Sequence, residues 1–278
     1  MNMKDLLILV SLSLLITVGT YLFLSRRTTP VESQESTSGQ VFEVKRDPEV
    51  VTPLNWQINF AETDDQQAQL TTVKTAYGEL TFSSAGAVLE RLLYKHGNQL
   101  LTTVESKNLA HKTFLLAFGE KTPYKYTFGG QQEDNTHVTL RYDYQLADAT
   151  LTKTFVINKN VPQVDLIIEV RAPAKIESIK KMRLFYLSPI AVAMNTGEIM
   201  AFFNKYREPQ TLTIYRKLEE IVHKIWSKPS IFGVADKFFV HAMVKDANEL
   251  IYRGAFSAVN DDKDLLVQLE TNEITAAG

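Results

Sequence analysis

The residue types that could do chemistry in this 278-residue chain are five histidines, several neighbouring acids and one glycine pair. The histidines are His96, His111, His137, His223 and His241, and no two stand at the His-x-His or His-x-x-x-His spacing that would aim both rings at one metal ion. His96 lies beside Gly97 in a turn and His137 opens a strand, so both read as surface residues. His241 alternates within an apolar strand and reads as a buried, hydrogen-bonded histidine. The acids Asp64-Asp65, Glu219-Glu220 and Asp261-Asp262 are sequence neighbours, which on a strand point to opposite faces. Glycosidase carboxylates must instead face each other across a cleft. Gly129-Gly130 has no Lys-Ser/Thr partner and reads as a turn, not as a phosphate cradle. No Gly-x-Ser-x-Gly elbow is present. With no cysteine, disulfides, thiolate metal sites, a cysteine nucleophile and a lipidated N-terminal cysteine are all excluded. These residues therefore predict no catalytic site, no cofactor and no metal, and the chain reads as a non-enzyme.

The elements around those residues are predominantly strands. Val138, Leu140, Tyr142 and Tyr144 alternate with Thr139, Arg141, Asp143 and Gln145, and Val164, Leu166, Ile168 and Val170 repeat the pattern. Period two places one set on a buried face and the other in water. Asn158-Lys159-Asn160 and Pro162 join Leu151–Ile157 to the second of these strands as a hairpin. Further strands are expected at Val73–Ser83, Ala87–Tyr94, Phe114–Phe118, Tyr124–Phe128, Met182–Leu187, Ile199–Asn204, Lys237–Val244, Leu250–Ala258 and Leu265–Leu269. Tyr215–Trp226 fits both a helical face and a strand. His96-Gly97-Asn98, Gly129-Gly130 and Asn260-Asp261-Asp262 supply joins. Closely spaced, half-buried strands predict antiparallel sheets packed face to face, an all-β fold.

Three zones divide the chain. Residues 1–27 contain Leu6–Leu24, 19 residues without a charge. As a helix the run reaches roughly 28 Å, about one bilayer core, and it has no polar stripe. It is expected to be an uncleaved transmembrane anchor. Arg26 and Arg27 follow it, and the positive-inside rule would hold that pair in the cytoplasm. Residues 28–72 hold eight acids and two bases and read as an extended acidic tether, with Val41–Val44 and Trp56–Phe60 as patches that could dock. Residues 73–278 form the β-domain. The whole-chain charge of -2 speaks against a nucleic-acid partner.

Several strand motifs resemble those of the YidC/Oxa/Alb membrane-protein insertase family. Val73–Phe82, with Thr75 and Gly78, is followed by Ser84-Ala85-Gly86-Ala87-Val88-Leu89 and by Leu92-Leu93-Tyr94-Lys95. Together they look like the opening strands of the YidC periplasmic domain, although Ala85 stands where a glycine is usual and Tyr94-Lys95 is inverted. Leu151-Thr152-Lys153-Thr154-Phe155 is similar to a further strand, and Phe232-Gly233-Val234-Ala235-Asp236-Lys237-Phe238-Phe239 to the periplasmic signature. The resemblance implies a large β-supersandwich of galactose-mutarotase-like fold, single-pass in the bacterial inner membrane, with the β-domain in the periplasm. Gly78, Gly86, Gly233, Lys237, Phe238 and Phe239 would be structural signature residues. Implied partners are secretion-translocon components, nascent membrane proteins and a separate C-terminal insertase piece. No second run of 18 apolar residues occurs, so the multi-span insertion region is absent, as in a split gene product or a truncated frame. The alternatives are a membrane-tethered carbohydrate-binding or mutarotase-like protein and a purely structural envelope protein.

Overall fold

The computed structural model of the chain describes residues 54–61, 68–118, 121–146, 149–171, 181–189, 200–205, 212–215, 218–222, 225–235, 240–244, 251–259 and 264–271. In chain order the strands are β1 (Leu70–Thr75), β2 (Gly78–Ser83), β3 (Val88–His96), β4 (Gln99–Glu105) and β5 (Leu116–Phe118). Then come β6 (Thr127–Glu133), β7 (His137–Gln145), β8 (Thr150–Asn158), β9 (Val164–Arg171), β10 (Met182–Pro189), β11 (Met200–Lys205) and β12 (Leu212–Tyr215). The last are β13 (Ile225–Ser227), β14 (Pro229–Ala235), β15 (Val240–Val244), β16 (Ile251–Val259) and β17 (Asp264–Thr271). Among the described residues of the ambiguous 215–226 stretch there is a four-residue helix, α1 (Leu218–Ile221), and β13 takes up its end. Among the described residues no helix is long and apolar enough to cross a membrane, and Leu6–Leu24 lies outside them.

The strands form four antiparallel sheets, ordered β1-β2-β3-β4, β6-β7-β8-β9, β13-β16-β17-β10-β5 and β12-β11-β14-β15. Val73, Leu80, Phe82, Leu89 and Val104 from the first sheet meet Val138, Leu140, Tyr142, Leu151, Phe155 and Ile157 from the second in one core. The expected alternation of β7 puts Val138, Leu140 and Tyr142 inside, and that of β9 packs Val164, Leu166, Ile168 and Val170 against them. On one face of the five-stranded sheet, Tyr186, Phe256, Val267 and Leu269 pack with Phe232 and Val234 of β14. Phe232 and Phe256 stack at 4.5 Å and Trp226 sits edge-on to both. The other face carries Val88, Leu115, Ala117, Phe185, Leu187 and Leu266, with Trp56, Ile58 and Phe60 packed against them. Each such side chain buried completely contributes about 1.5–3 kcal/mol.

Several strand limits differ from the sequence expectation for local reasons. Val73–Ser83 is two strands, because Thr75 exchanges hydrogen bonds with Gly78 and closes a turn. A Cβ at Gly78 would lie 2.0 Å from the Leu93 carbonyl oxygen, so glycine is required there. Gly129-Gly130 is a strand irregularity inside β6, where the register against β7 shifts, and not a turn between strands. β4 was not anticipated, since its Thr-rich sequence has no clear alternation. Asn260-Asp261-Asp262 lies outside the described residues, as do Lys237, Phe238 and Phe239.

Lys153 is fully buried in the first core. Its ammonium donates to the carbonyls of Gly86 (3.1 Å), Phe114 (2.6 Å) and Ala87. The Tyr126 and Phe155 rings each lie 5.5 Å away. All three acceptor residues have left-handed backbones, with φ of 75° at Gly86, 46° at Ala87 and 69° at Phe114. For Ala87 and Phe114 that conformation costs about 1–3 kcal/mol each and persists only when surroundings impose it. The ammonium supplies that imposition.

Burial without a carboxylate partner holds the Lys153 pKa well below its ordinary value. Between that value and about 10.4 the unfolded chain binds a proton that the folded chain does not, so stability rises with pH. Burial also raises the pKa of Tyr126 and Tyr186, and brings Tyr142 to about 12. Above pH ~10 unfolded tyrosines ionise while these keep their protons, and stability falls. Urea unfolding midpoints should therefore climb as the pH rises above the lowered Lys153 value toward pH ~10, and drop beyond it. Lys153→Met should flatten the climb and leave the drop.

Candidate functional site

The candidate site is a row of charged and polar side chains on the five-stranded sheet. Strand pairing sets Arg183 of β10 opposite Glu270 of β17, and Glu270 opposite Arg253 of β16. One pleat along, Phe185, Gln268 and Ala255 are in register. Period two puts Leu266, Gln268 and Glu270 on one face and Leu265, Val267 and Leu269 on the other. The polar row thus shares its face with the apolar group under Trp56, Ile58 and Phe60.

The Arg253 guanidinium reaches both carboxylate oxygens of Glu270, at 3.2 and 3.1 Å. Lys181 approaches the same carboxylate at 3.3 Å. Arg253 and Glu270 are nearly closed off, whereas the Lys181 side chain is 45 % exposed and marks the solvent end of the row. Arg183 turns its guanidinium onto the carbonyls of Asn55 and Gln57, at 2.8 Å each, and lies over the Phe185 ring. Burial lowers the Arg183 pKa and the nearby Glu270 charge opposes that shift. Gln268 is wholly buried, and neither end of its amide has a hydrogen-bond partner. An unengaged amide in a sheet interior costs about 1–3 kcal/mol. One carboxylate, one amide and three cations on one face can grip a polyhydroxylated ring. They are a poor metal site, and among the described residues no three His, Asp or Glu side chains cluster.

None of these five residues was singled out from the sequence. The available signal was Gln268, a polar residue interrupting the apolar run Leu265–Leu269, with Glu270 two positions on. Among the described residues the histidines do not join the row. His96 is exposed, and His111 and His137 are half-buried at the surface. His223 lies outside the described residues. His241 is half-buried on β15 with its ring 6.1 Å from Tyr186, on the opposite face of the five-stranded sheet. Of the expected signature residues, Gly78 opens β2, Gly86 feeds the Lys153 ammonium, and Gly233 is buried in β14 between Phe202 and Ala242.

No family model and no curated protein matches the chain. Among solved structures it is similar to a candidate mutarotase from Salmonella typhimurium, at 12 % identity and TM-score 0.51, covering 77 % of this chain and 87 % of that one. It is also similar to a galactose mutarotase-like protein from Lactobacillus casei, at 11 % identity and TM-score 0.48, covering 73 % and 87 %. A third is a candidate aldose 1-epimerase from Escherichia coli, at 7 % identity and TM-score 0.45, covering 76 % and 94 %. The first of these shows the fold, an all-β antiparallel sandwich of galactose-mutarotase-like type.

These findings correct the insertase expectation. The fold match to the candidate mutarotase is the finding that overturns the YidC reading, its translocon, nascent-chain and C-terminal-piece partners, and the assignment as a non-enzyme. The physical reason is visible in the motifs. Gly78 is required by a close carbonyl, and Gly86 and Lys153 by the buried ammonium. Such residues report on a β-sandwich, not on membrane insertion.

Removing one partner of a buried ion pair leaves an uncompensated charge. Glu270→Leu should therefore destabilise the protein by about 3–5 kcal/mol. The double change Glu270→Leu with Arg253→Met should restore most of that loss, read as urea unfolding free energies.

Proposed function

We propose that this protein binds an aldose on the Arg183–Gln268–Glu270–Arg253 row and interconverts its anomers. The observation that carries the reading is the row itself, a carboxylate and an unengaged amide set among cations on one face of the five-stranded sheet. The mutarotase-like fold supports it. Anomer exchange needs a base to take the O1 proton and an acid to protonate the ring oxygen as the C1–O5 bond breaks. Rotation about C1–C2 and the reverse transfers then close the other anomer. Glu270 is the base in this reading. Lys181, at the solvent end and 3.3 Å from Glu270, is the acid. Acid–base participation of this kind contributes typically 10²- to 10⁴-fold.

Saturation-transfer NMR between α and β anomers of a panel of aldoses tests it. The protein should accelerate exchange of at least one sugar. Lys181→Met, which removes a half-exposed side chain, should cut that acceleration at least tenfold with the fold intact. No acceleration and no sugar-induced shift across the panel would overturn the reading.

The uncharged run Leu6–Leu24 supports a second element of the proposal, a single-pass membrane tether carrying the β-domain. The full chain should sediment with membranes and its counterpart lacking residues 1–27 should stay in the supernatant. Protease added to spheroplasts should degrade a periplasmic β-domain and spare a cytoplasmic one.

A further inference from the structure

The segment Leu54–Phe60 lies across the face that carries the row, and few bonds hold it there. Its side chains alternate, with Trp56, Ile58 and Phe60 half-buried and Asn55, Gln57 and Asn59 exposed. The inward set covers Phe185, Leu187, Leu115 and Leu266. No continuous ladder ties it to the sheet. Its backbone meets the rest of the sandwich at Thr122, which donates to the Asn59 carbonyl at 2.8 Å and accepts from Ala61 at 3.0 Å. Phe60 lies edge-on to Tyr124. Among the described residues the remaining polar anchor is Arg183, whose guanidinium holds the Asn55 and Gln57 carbonyls.

Arg183 therefore belongs to two structures. Its β-carbon stands in the polar row opposite Glu270, while its Nη1 donates to the segment above. An extended piece with a handful of bonds and half-buried side chains opens at lower free energy than a five-stranded sheet closed on both faces. Opening uncovers an apolar floor beside the row and releases a guanidinium fork toward it.

We infer that Leu54–Phe60 is a latch over the polar row, pinned by Arg183, and that a ligand on the row competes with the latch for that guanidinium. The ligand half of this inference rests on the sugar-binding reading. The latch half does not.

Amide hydrogen exchange on the full chain separates the two. Arg183→Met removes the Nη1 donor that holds both carbonyls. It should speed exchange at Ala61 and Thr122 at least tenfold, while the β16–β17 ladder at Phe256 and Val267 keeps its protection. Unchanged exchange at Ala61 and Thr122 would overturn the latch. So would an equal rise at Phe256 and Val267, which would make Arg183 a support of the whole sheet. Trp56→Ala with Ile58→Ala loosens the latch without touching the row. It should tighten binding of the sugar found active by NMR at least threefold. Unchanged affinity with a loosened latch would overturn the competition. If neither intact nor loosened protein binds any sugar, the sugar reading fails, and the exchange experiment still decides the latch.

Discussion

The ammonium of Lys153 is the interaction on which the sandwich depends. It lies on β8, takes carbonyls from the Gly86-Ala87 link between β2 and β3, and takes a third from Phe114 just before β5. Three sheets thus meet at one charge. The arrangement needs three left-handed residues, two of them not glycine. Each is unfavourable alone, and each points a carbonyl dipole at the same cation. Phe114 carries the link further, since its amide donates to the Phe185 carbonyl of β10 at 2.8 Å. Displacing the ammonium would leave inward-pointing carbonyls without donors as well as strained backbone without a cause.

The five-stranded sheet obeys a second constraint, which is that both of its faces are covered. Tyr186, Phe256 and Val267 meet β14 on one side, and Phe185, Leu187 and Leu266 meet the Trp56–Phe60 segment on the other. A sheet closed in this way is expected to carry apolar runs, as Leu265–Leu269 does apart from Gln268. The polar row departs from that rule within the same strands. Arg253 and Glu270 satisfy each other, and Lys181 brings the carboxylate to solvent. Gln268 is the residue of the row whose amide lacks a hydrogen-bond partner at both ends. That exception is what distinguishes the row from Lys112, another buried cation, which is fully engaged by Glu90 and the Ser106 carbonyl.

Much of the architecture was legible in the chain. The alternation of β7 and β9 and the Asn158–Pro162 hairpin follow from period-two patterning and turn chemistry, while Trp56–Phe60 was legible only as an apolar patch within an expected tether. Motif likeness misled where it went beyond the strands. Gly78, Gly86 and Lys153 look like an insertase signature, yet a steric contact and a buried charge account for them. Helical and strand periods coincide in the 215–226 stretch, so its split into α1 and β13 depended on the partner that each half found, Ile221 in the core and β13 along β16.

The sequence by itself determined which side chains are inward on β7 and β9, because a strand with one wet face alternates whatever it pairs with. It also determined the absence of thiol chemistry and the charge-free length of Leu6–Leu24. Tertiary structure alone decided that Arg183, Arg253, Gln268 and Glu270 stand together. They come from three strands separated by up to 87 residues, and only the register of β10-β17-β16 aligns them. Local periodicity carries no record of which strands become neighbours, because that is settled by how whole apolar faces cover one another.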